Sequence, residues 1–300
     1  MLPTASAGCS LSTMSRCVEL RRARPLLGTY VEIQARASTE RRLQRGFDAA
    51  FAAIGEVHRL MSFHDLASDV SRLNRSAFRE KIRVHPWTWQ VLKRAQGFAE
   101  LSQGAFDITV APLLCKWGYL PHAYPADDGA TFRDVILESR NAVRFRRPLS
   151  IDLGGIAKGF AVDRAVECLR TAGLESGVVN AGGDLRAFGV KLHPVHLRDP
   201  AAHGKIAGIV SLRNRAIATS GIYFSRRARE HSAVSPLVNG CTRQPHIHDI
   251  SATVSAADCL TADALTKVVL AQGNNFEGVL RSYDADAVML ERGRPPRLLR

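Results

Sequence analysis

Between positions 151 and 159 the chain reads Ile151-Asp152-Leu153-Gly154-Gly155-Ile156-Ala157-Lys158-Gly159, an apolar extended run that meets the start of a helix through two glycines. Such a junction aims backbone N–H groups and the positive end of a helix dipole at one spot, where an anion is the natural occupant. Lys158 lies in the expected first turn, within reach of the same anion. The spacing matches neither G-x-x-x-x-G-K-[ST] nor G-x-G-x-x-G, so neither nucleotide motif is present. A tight turn without a ligand is the alternative reading.

The surrounding pattern predicts the frame that holds this junction. Gly28-Thr29-Tyr30-Val31-Glu32-Ile33 alternates as a half-buried strand does. Over residues 38–61, Leu43, Phe47, Phe51, Ile54, Val57 and Met61 recur at helical steps, with Thr39 as N-cap. A second helix is expected over 87–102, opened by Pro86, closed by Gly104, with Val91, Leu92, Ala95, Phe98 and Leu101 inward. Residues 118–132 read as an exposed excursion. Strand-like pieces at 142–153, 177–181 and 185–190 flank a helix over 156–172 that Gly173 ends. Strands at 207–212 and 251–256 precede a helix over 262–271. Strands and helices mix without a regular βαβ beat, which predicts an α+β fold of mixed strands with packed helices. The expected layout is a flexible N-terminus over 1–24, a single domain over 25–290 and a basic C-terminal tail over 291–300.

Two further segments carry possible chemistry. Val179-Asn180-Ala181-Gly182-Gly183-Asp184-Leu185 is a strand, a glycine turn and a second strand; Asp184 either sits in a plain hairpin turn or faces a ligand. In Cys259-Leu260-Thr261-Ala262-Asp263-Ala264-Leu265-Thr266-Lys267, Thr261 is the expected N-cap and Asp263 a first-turn carboxylate. Thr266 and Lys267 follow Asp263 at i+3 and i+4, on the same face. A carboxylate with a hydroxyl one turn on can hold a hard cation such as Mg²⁺, and an Asp–Lys helix pair is the plainer reading. His246-x-His248-Asp249 has no further ligand at a zinc-like spacing and reads as a solvated loop. Trp87 and Trp89 fit a helix start packed on the core.

Charge is the unusual bulk property: 41 Lys+Arg against 28 Asp+Glu give a formal net charge of +13. The arginines come in scattered pairs (Arg21-Arg22, Arg41-Arg42, Arg146-Arg147, Arg226-Arg227), so a solvated basic surface is expected and no nucleic-acid partner. The six cysteines show no C-x-x-C spacing and read as free thiols, mostly buried. No run approaches the roughly 18 apolar residues of a membrane span, and the first 24 positions lack the apolar stretch of a secretory signal. A cytoplasmic location is expected for the sequence as written.

Taken in order, Leu27-Gly28-Thr29, Met61-Ser62 with Ser71-Arg72-Leu73-Asn74, Gly104-Ala105-Phe106-Asp107-Ile108-Thr109-Val110, residues 152–159, Gly182-Gly183-Asp184, Ala218-Thr219-Ser220-Gly221 and Thr261-Ala262-Asp263-Ala264-Leu265 resemble the ApbE family of FAD:protein FMN transferases. The resemblance implies FAD as substrate, Mg²⁺ as cofactor, and transfer of FMN to a Thr or Ser hydroxyl of a target flavoprotein with release of AMP. It implies FAD contacts at Met61, Ala105, Phe106, Asp107, Asp152, Lys158, Asp184 and Val238, and Mg²⁺ ligands at the Gly155 carbonyl, Asp263 and Thr266. It also implies that the location is often periplasmic or membrane-associated.

The chain departs from the family pattern twice. In the His-x-x-Asp segment the matching positions are Pro236 and Asn239, which leaves His231, five residues upstream, as the histidine able to act as base beside Lys158. In the metal helix the i+4 position from Asp263 is Lys267, so either Thr266 takes the ligand role or the Lys267 ammonium occupies the cation's place. The alternative function is a catalytically impaired FAD-binding protein of the same fold.

Overall fold

The computed structural model describes residues 17–121, 123–202, 204–222, 225–229, 232–272 and 276–300. Along the chain, β1 (Val18–Leu26) and β2 (Thr29–Ala37) form a hairpin followed by α1 (Glu40–Met61), α2 (Asp69–Ser76), β3 (Ile82–Arg83), α3 (Pro86–Leu101) and α4 (Ala111–Lys116). Next come β4 (Val135–Leu137), β5 (Ala142–Phe145), α5 (Ala157–Thr171), β6 (Ser176–Ala181), β7 (Asp184–Phe188), β8 (His193–Arg198), β9 (Ile206–Leu212) and β10 (Ala216–Gly221). The chain ends with β11 (Arg227–Arg229), β12 (Ser232–Val234), β13 (Ile250–Ala256), α6 (Cys259–Gln272), α7 (Glu277–Ser282), β14 (Asp286–Glu291) and β15 (Arg297–Leu299).

Among the described residues the main sheet has eight strands in the order β1-β2-β6-β7-β10-β13-β14-β15, and every neighbouring pair is antiparallel. The two faces of the strands do different jobs, as the period of two requires. Val31, Ile33, Val179, Ala181, Ala216 and Ala218 join the main core, whereas Ala187, Ile217 and Leu290 pack with Leu197 and Leu212 of the β8–β9 hairpin. Three helices cover the core face: α1 lies along α5, α5 along α6, and α6 on β10 and β13. An antiparallel sheet with helices on one face is an α+β architecture.

The apolar period built α1 as expected, with Leu43, Phe47, Phe51, Ile54, Val57 and Met61 buried and Thr39 accepting the Arg42 N–H at 3.4 Å. Several boundaries differ. Val18 to Arg24, expected within a flexible terminus, belong to β1, and positions 297–299, expected in a tail, pair with β14. Residues 146–153 run on from β5 without strand pairing. Leu101 is 48 % exposed rather than inward, because it falls on the last residue of α3 beyond the packed face. Of the described cysteines only Cys259 is buried. Among the described residues no helix is long and apolar enough to cross a membrane.

Helix α6 starts earlier than its apolar pattern suggested. Asp258, not Thr261, is its cap, with Oδ1 accepting the Thr261 N–H at 2.7 Å. Asp163 on α5 accepts the next two free donors, Cys259 N–H and Leu260 N–H, at 2.9 Å each. That moves Asp263 into the second turn and ties its height to α5.

Candidate active site

The 151–159 junction is fixed from both sides. Asn74 of α2 donates its Nδ2 to the Ile151 carbonyl at 3.0 Å and accepts the Ile151 N–H at 2.8 Å. The Asp152 N–H donates to the Ile108 carbonyl at 2.9 Å. Beyond the glycines, α5 runs so close to α6 that a Cβ on Gly159 would lie 2.3 Å from the Cys259 carbonyl oxygen. Glycine is therefore required there, and its bare N–H donates to Asp263 Oδ2 at 3.0 Å.

Two chambers open on this junction. One, of about 330 Å³, is lined by Phe106, Ile108, Val110, Leu114 and Leu237 among others; the second, of about 490 Å³, by Leu27, Val57, Met61 and Phe63. Leu120, Asp152, Gly154 and Lys158 line both. Each volume falls in the range of small-molecule sites, and the shared wall carries Asp152 and Lys158.

At that wall Lys158 Nζ pairs with Asp184 and lies 3.9 Å from Asp263 Oδ2. A third of the Lys158 side chain is exposed to the cavity, whereas Asp184 and Asp263 are 2 % and 0 % exposed behind it. Burial opposes the charge on Lys158, but the two carboxylates outweigh it and hold the ammonium above its ordinary pKa. Burial, helped by the Asp263 charge, pushes the Asp184 carboxyl up against the pull of Lys158 and Lys267. Asp152 is also pushed up by burial, with the Gly154 N–H pulling the other way.

Lys267 completes the cluster. Its ammonium pairs with Asp263 Oδ1 and donates to the Asp263 carbonyl at 2.9 Å, and its side chain lines the first chamber. Thr266 is fully buried; its hydroxyl donates to the Asp263 carbonyl and shares a 2.7 Å hydrogen bond with Ser220. The expected Mg²⁺ clamp of Gly155, Asp263 and Thr266 does not fit this arrangement. Both Asp263 carboxylate oxygens are engaged, and Lys267 Cε lies 3.6 Å from where a Cβ on Gly155 would stand. A divalent ion about 4 Å from an ammonium meets roughly 8 kcal/mol of repulsion at an effective permittivity near 20. Among the described residues no three His, Cys, Asp or Glu side chains converge as a metal site.

The helix terminus is also less open than the motif suggests. The Ile156 and Ala157 N–H groups donate to the Leu153 carbonyl at 3.0 and 2.8 Å, and the Gly159 N–H is held by Asp263. The positive charge presented to the cavity is therefore carried by the lysines.

A loop over 236–243 closes one side of the first chamber. Gly240 N–H donates to the Ala105 carbonyl at 3.0 Å, and a Cβ at 240 would lie 2.2 Å from the Gly104 carbonyl oxygen, so only glycine seats this loop. Arg243 Nη2 donates to the Ala130 carbonyl at 2.7 Å, to Thr109 Oγ1 at 3.1 Å and to Asp107 Oδ2 at 3.4 Å. Asn239 Oδ1 accepts the Cys241 and Thr242 N–H groups at 2.9 and 3.1 Å.

Most residues named from the sequence meet here. Ala105, Phe106, Asp107, Asp152, Gly155, Lys158 and Val238 line the first chamber and Met61 the second. The Asp107 carboxylate is taken up by the Thr109 and Phe132 N–H groups and Arg243, and burial pushes its pKa up. Asp184 follows the two-residue Gly182-Gly183 turn and does not line either chamber; it acts on the cavity through Lys158. His231 lies outside the described residues, and Pro236 lines the first chamber. Sequence reasoning missed Tyr119 and Leu120, apolar residues inside the expected excursion whose apolarity was the available signal, and Ser220, held by Thr266.

Comparison with known proteins identifies the family and the fold. The model of the ApbE family matches residues 27–289. An FAD:protein FMN transferase of Vibrio cholerae is 29 % identical over 270 residues, covering 83 % of this chain and 80 % of the relative. One of Treponema pallidum is 27 % identical over 292 residues, covering 86 % and 80 %. The crystal structure of the ApbE protein of Thermotoga maritima superposes with a TM-score of 0.83 at 27 % identity, covering 94 % of this chain and 97 % of that one. The flavin transferase ApbE of Vibrio cholerae gives 0.79 at 25 % identity, covering 94 % and 96 %.

Proposed function

This chain belongs to the ApbE family, and from that premise we propose that it is an FAD:protein FMN transferase, the activity its curated relatives are named for. The supporting observation is the shape of the cavity: two largely apolar chambers that share a wall bearing Lys158. FAD has matching form, two ring systems joined by an anionic pyrophosphate.

In the reaction we assign, the hydroxyl oxygen of a Thr or Ser on a target flavoprotein attacks the phosphorus on the FMN side. A phosphoester forms, the pyrophosphate P–O bond breaks, and AMP leaves with the bond's electron pair. Lys158, kept protonated by Asp184 and Asp263, neutralises charge that builds on the phosphate oxygens. The hydroxyl proton is assigned to His231.

Pro236 favours a second reading, a protein that binds FAD without transferring FMN, since a proline on the chamber wall supplies no base. Incubation with FAD and an acceptor domain carrying the Thr site separates the two. Transfer gives acceptor bearing covalent FMN by mass spectrometry, lost in His231→Ala while FAD binding persists. Bound FAD with unmodified acceptor and no AMP would select the second reading.

A further inference from the structure

The Lys267 ammonium engages the carboxylate that the expected metal clamp would need. Its ammonium rests on the Asp263 carboxylate and, at 2.9 Å, on the Asp263 carbonyl, while the other carboxylate oxygen accepts the Gly159 N–H at 3.0 Å. The side chain is 14 % exposed, and what is exposed faces the first chamber beside Gly155. Lys158 lines the same chamber from α5, and its Nζ is 3.9 Å from the Asp263 carboxylate oxygen that accepts the Gly159 N–H. Two ammonium groups thus front the cavity, each backed by a fully or almost fully buried carboxylate.

We propose that the Lys267 ammonium is a built-in cation: with Lys158 it holds the pyrophosphate of FAD, so FAD binds this protein without a divalent metal. The proposal rests on the FAD reading above. An ammonium has three donors, and Asp263 does not exhaust those of Lys267, leaving hydrogen-bonding capacity for phosphate oxygens. The carboxylate fixes its position, as carboxylates fix a bound metal. What Lys267 does not supply is the double charge of a metal; positioning and single-charge neutralisation are its whole contribution.

The test is titration of FAD into the full-length protein, followed by flavin fluorescence, in EDTA and in excess Mg²⁺. Wild-type affinity is expected to agree within about twofold in the two conditions. Lys267→Thr is expected to lose roughly ten- to a hundredfold in EDTA and to recover part of it with Mg²⁺. Calorimetry with Mg²⁺ alone is expected to show binding to that variant and not to wild type. FAD binding by wild type only when Mg²⁺ is present overturns the proposal and leaves the FAD reading standing; unchanged affinity of a folded Lys267→Thr in EDTA also overturns it. Absence of FAD binding in both conditions overturns both. The wild-type comparison decides the matter even if the variant, with Asp263 left unpaired, fails to fold.

Discussion

Gly159→Ala places a methyl group 2.3 Å from the Cys259 carbonyl oxygen, 2.6 Å from its carbon and 2.8 Å from Leu260 Cα. All three are backbone atoms of α6, so no side chain can turn aside and the two helices must part. Overpacking of this kind costs about 1–3 kcal/mol. Parting also stretches the Gly159 N–H bond to Asp263, and a hydrogen bond to a charged group is worth about 1.5–3 kcal/mol. Alanine returns up to about 1 kcal/mol of helix propensity. The net expectation is a loss of roughly 3 kcal/mol, or a drop in Tm of about 5 °C in a chain of 300 residues. Thermal unfolding followed by circular dichroism measures it, with Gly55→Ala as the control: that position is inside α1, where a Cβ meets nothing within 4 Å. A Tm for Gly159→Ala within about 2 °C of wild type would refute the close crossing of α5 and α6.

The control is itself a prediction, a gain of about 0.5–1 kcal/mol for Gly55→Ala in chemical denaturation. Lys158→Met leaves two buried carboxylates with one ammonium and should cost about 2–3 kcal/mol, the low side for a broken buried pair because a third of Lys158 is exposed. Without Lys158 the Asp184 carboxyl, already held high by burial, rises further, so the folded variant takes up a proton more readily than its unfolded chain. Its deficit is therefore largest near neutral pH and shrinks as pH falls towards about 4, the ordinary carboxylate value; denaturation midpoints at several pH values would show a constant deficit if the pairing were absent. Arg243→Ala removes the ties to Ala130, Thr109 and Asp107, and should raise amide exchange across 236–243 while costing about 1–2 kcal/mol. Unaltered exchange there would mean that Gly240 and Asn239 hold the loop alone.

How far the sequence reaches depends on how local the cause is. α1 and α5 are written in an apolar period that needs no knowledge of distant residues, and the Gly154-Gly155 junction with Lys158 is a local backbone requirement. β1 escaped because arginines interrupt its apolar alternation: as an edge strand it carries Arg21, Arg22 and Arg24, which pair with Glu32 and Gln44 and cover Phe51, where a continuous apolar stripe would have marked it. The early start of α6 depends on Asp163, 96 residues before Cys259, a donor–acceptor match that no window along the chain contains. Asp184 was read beside its own turn, yet its role follows from Lys158, 26 residues away. Thr266 and Lys267 share a helical face with Asp263, so spacing alone leaves both open; side-chain length decides, since the short hydroxyl bonds its own turn and the long ammonium reaches the cavity.

The most direct test of the transferase assignment is the stoichiometry of products. Protein, FAD and a Thr-bearing acceptor domain are incubated, and AMP and acceptor-bound FMN are quantified in the same sample. The account predicts equal amounts of the two, rising together with time. AMP appearing with free FMN and an unlabelled acceptor, or FAD recovered intact from its complex with the protein, would contradict it.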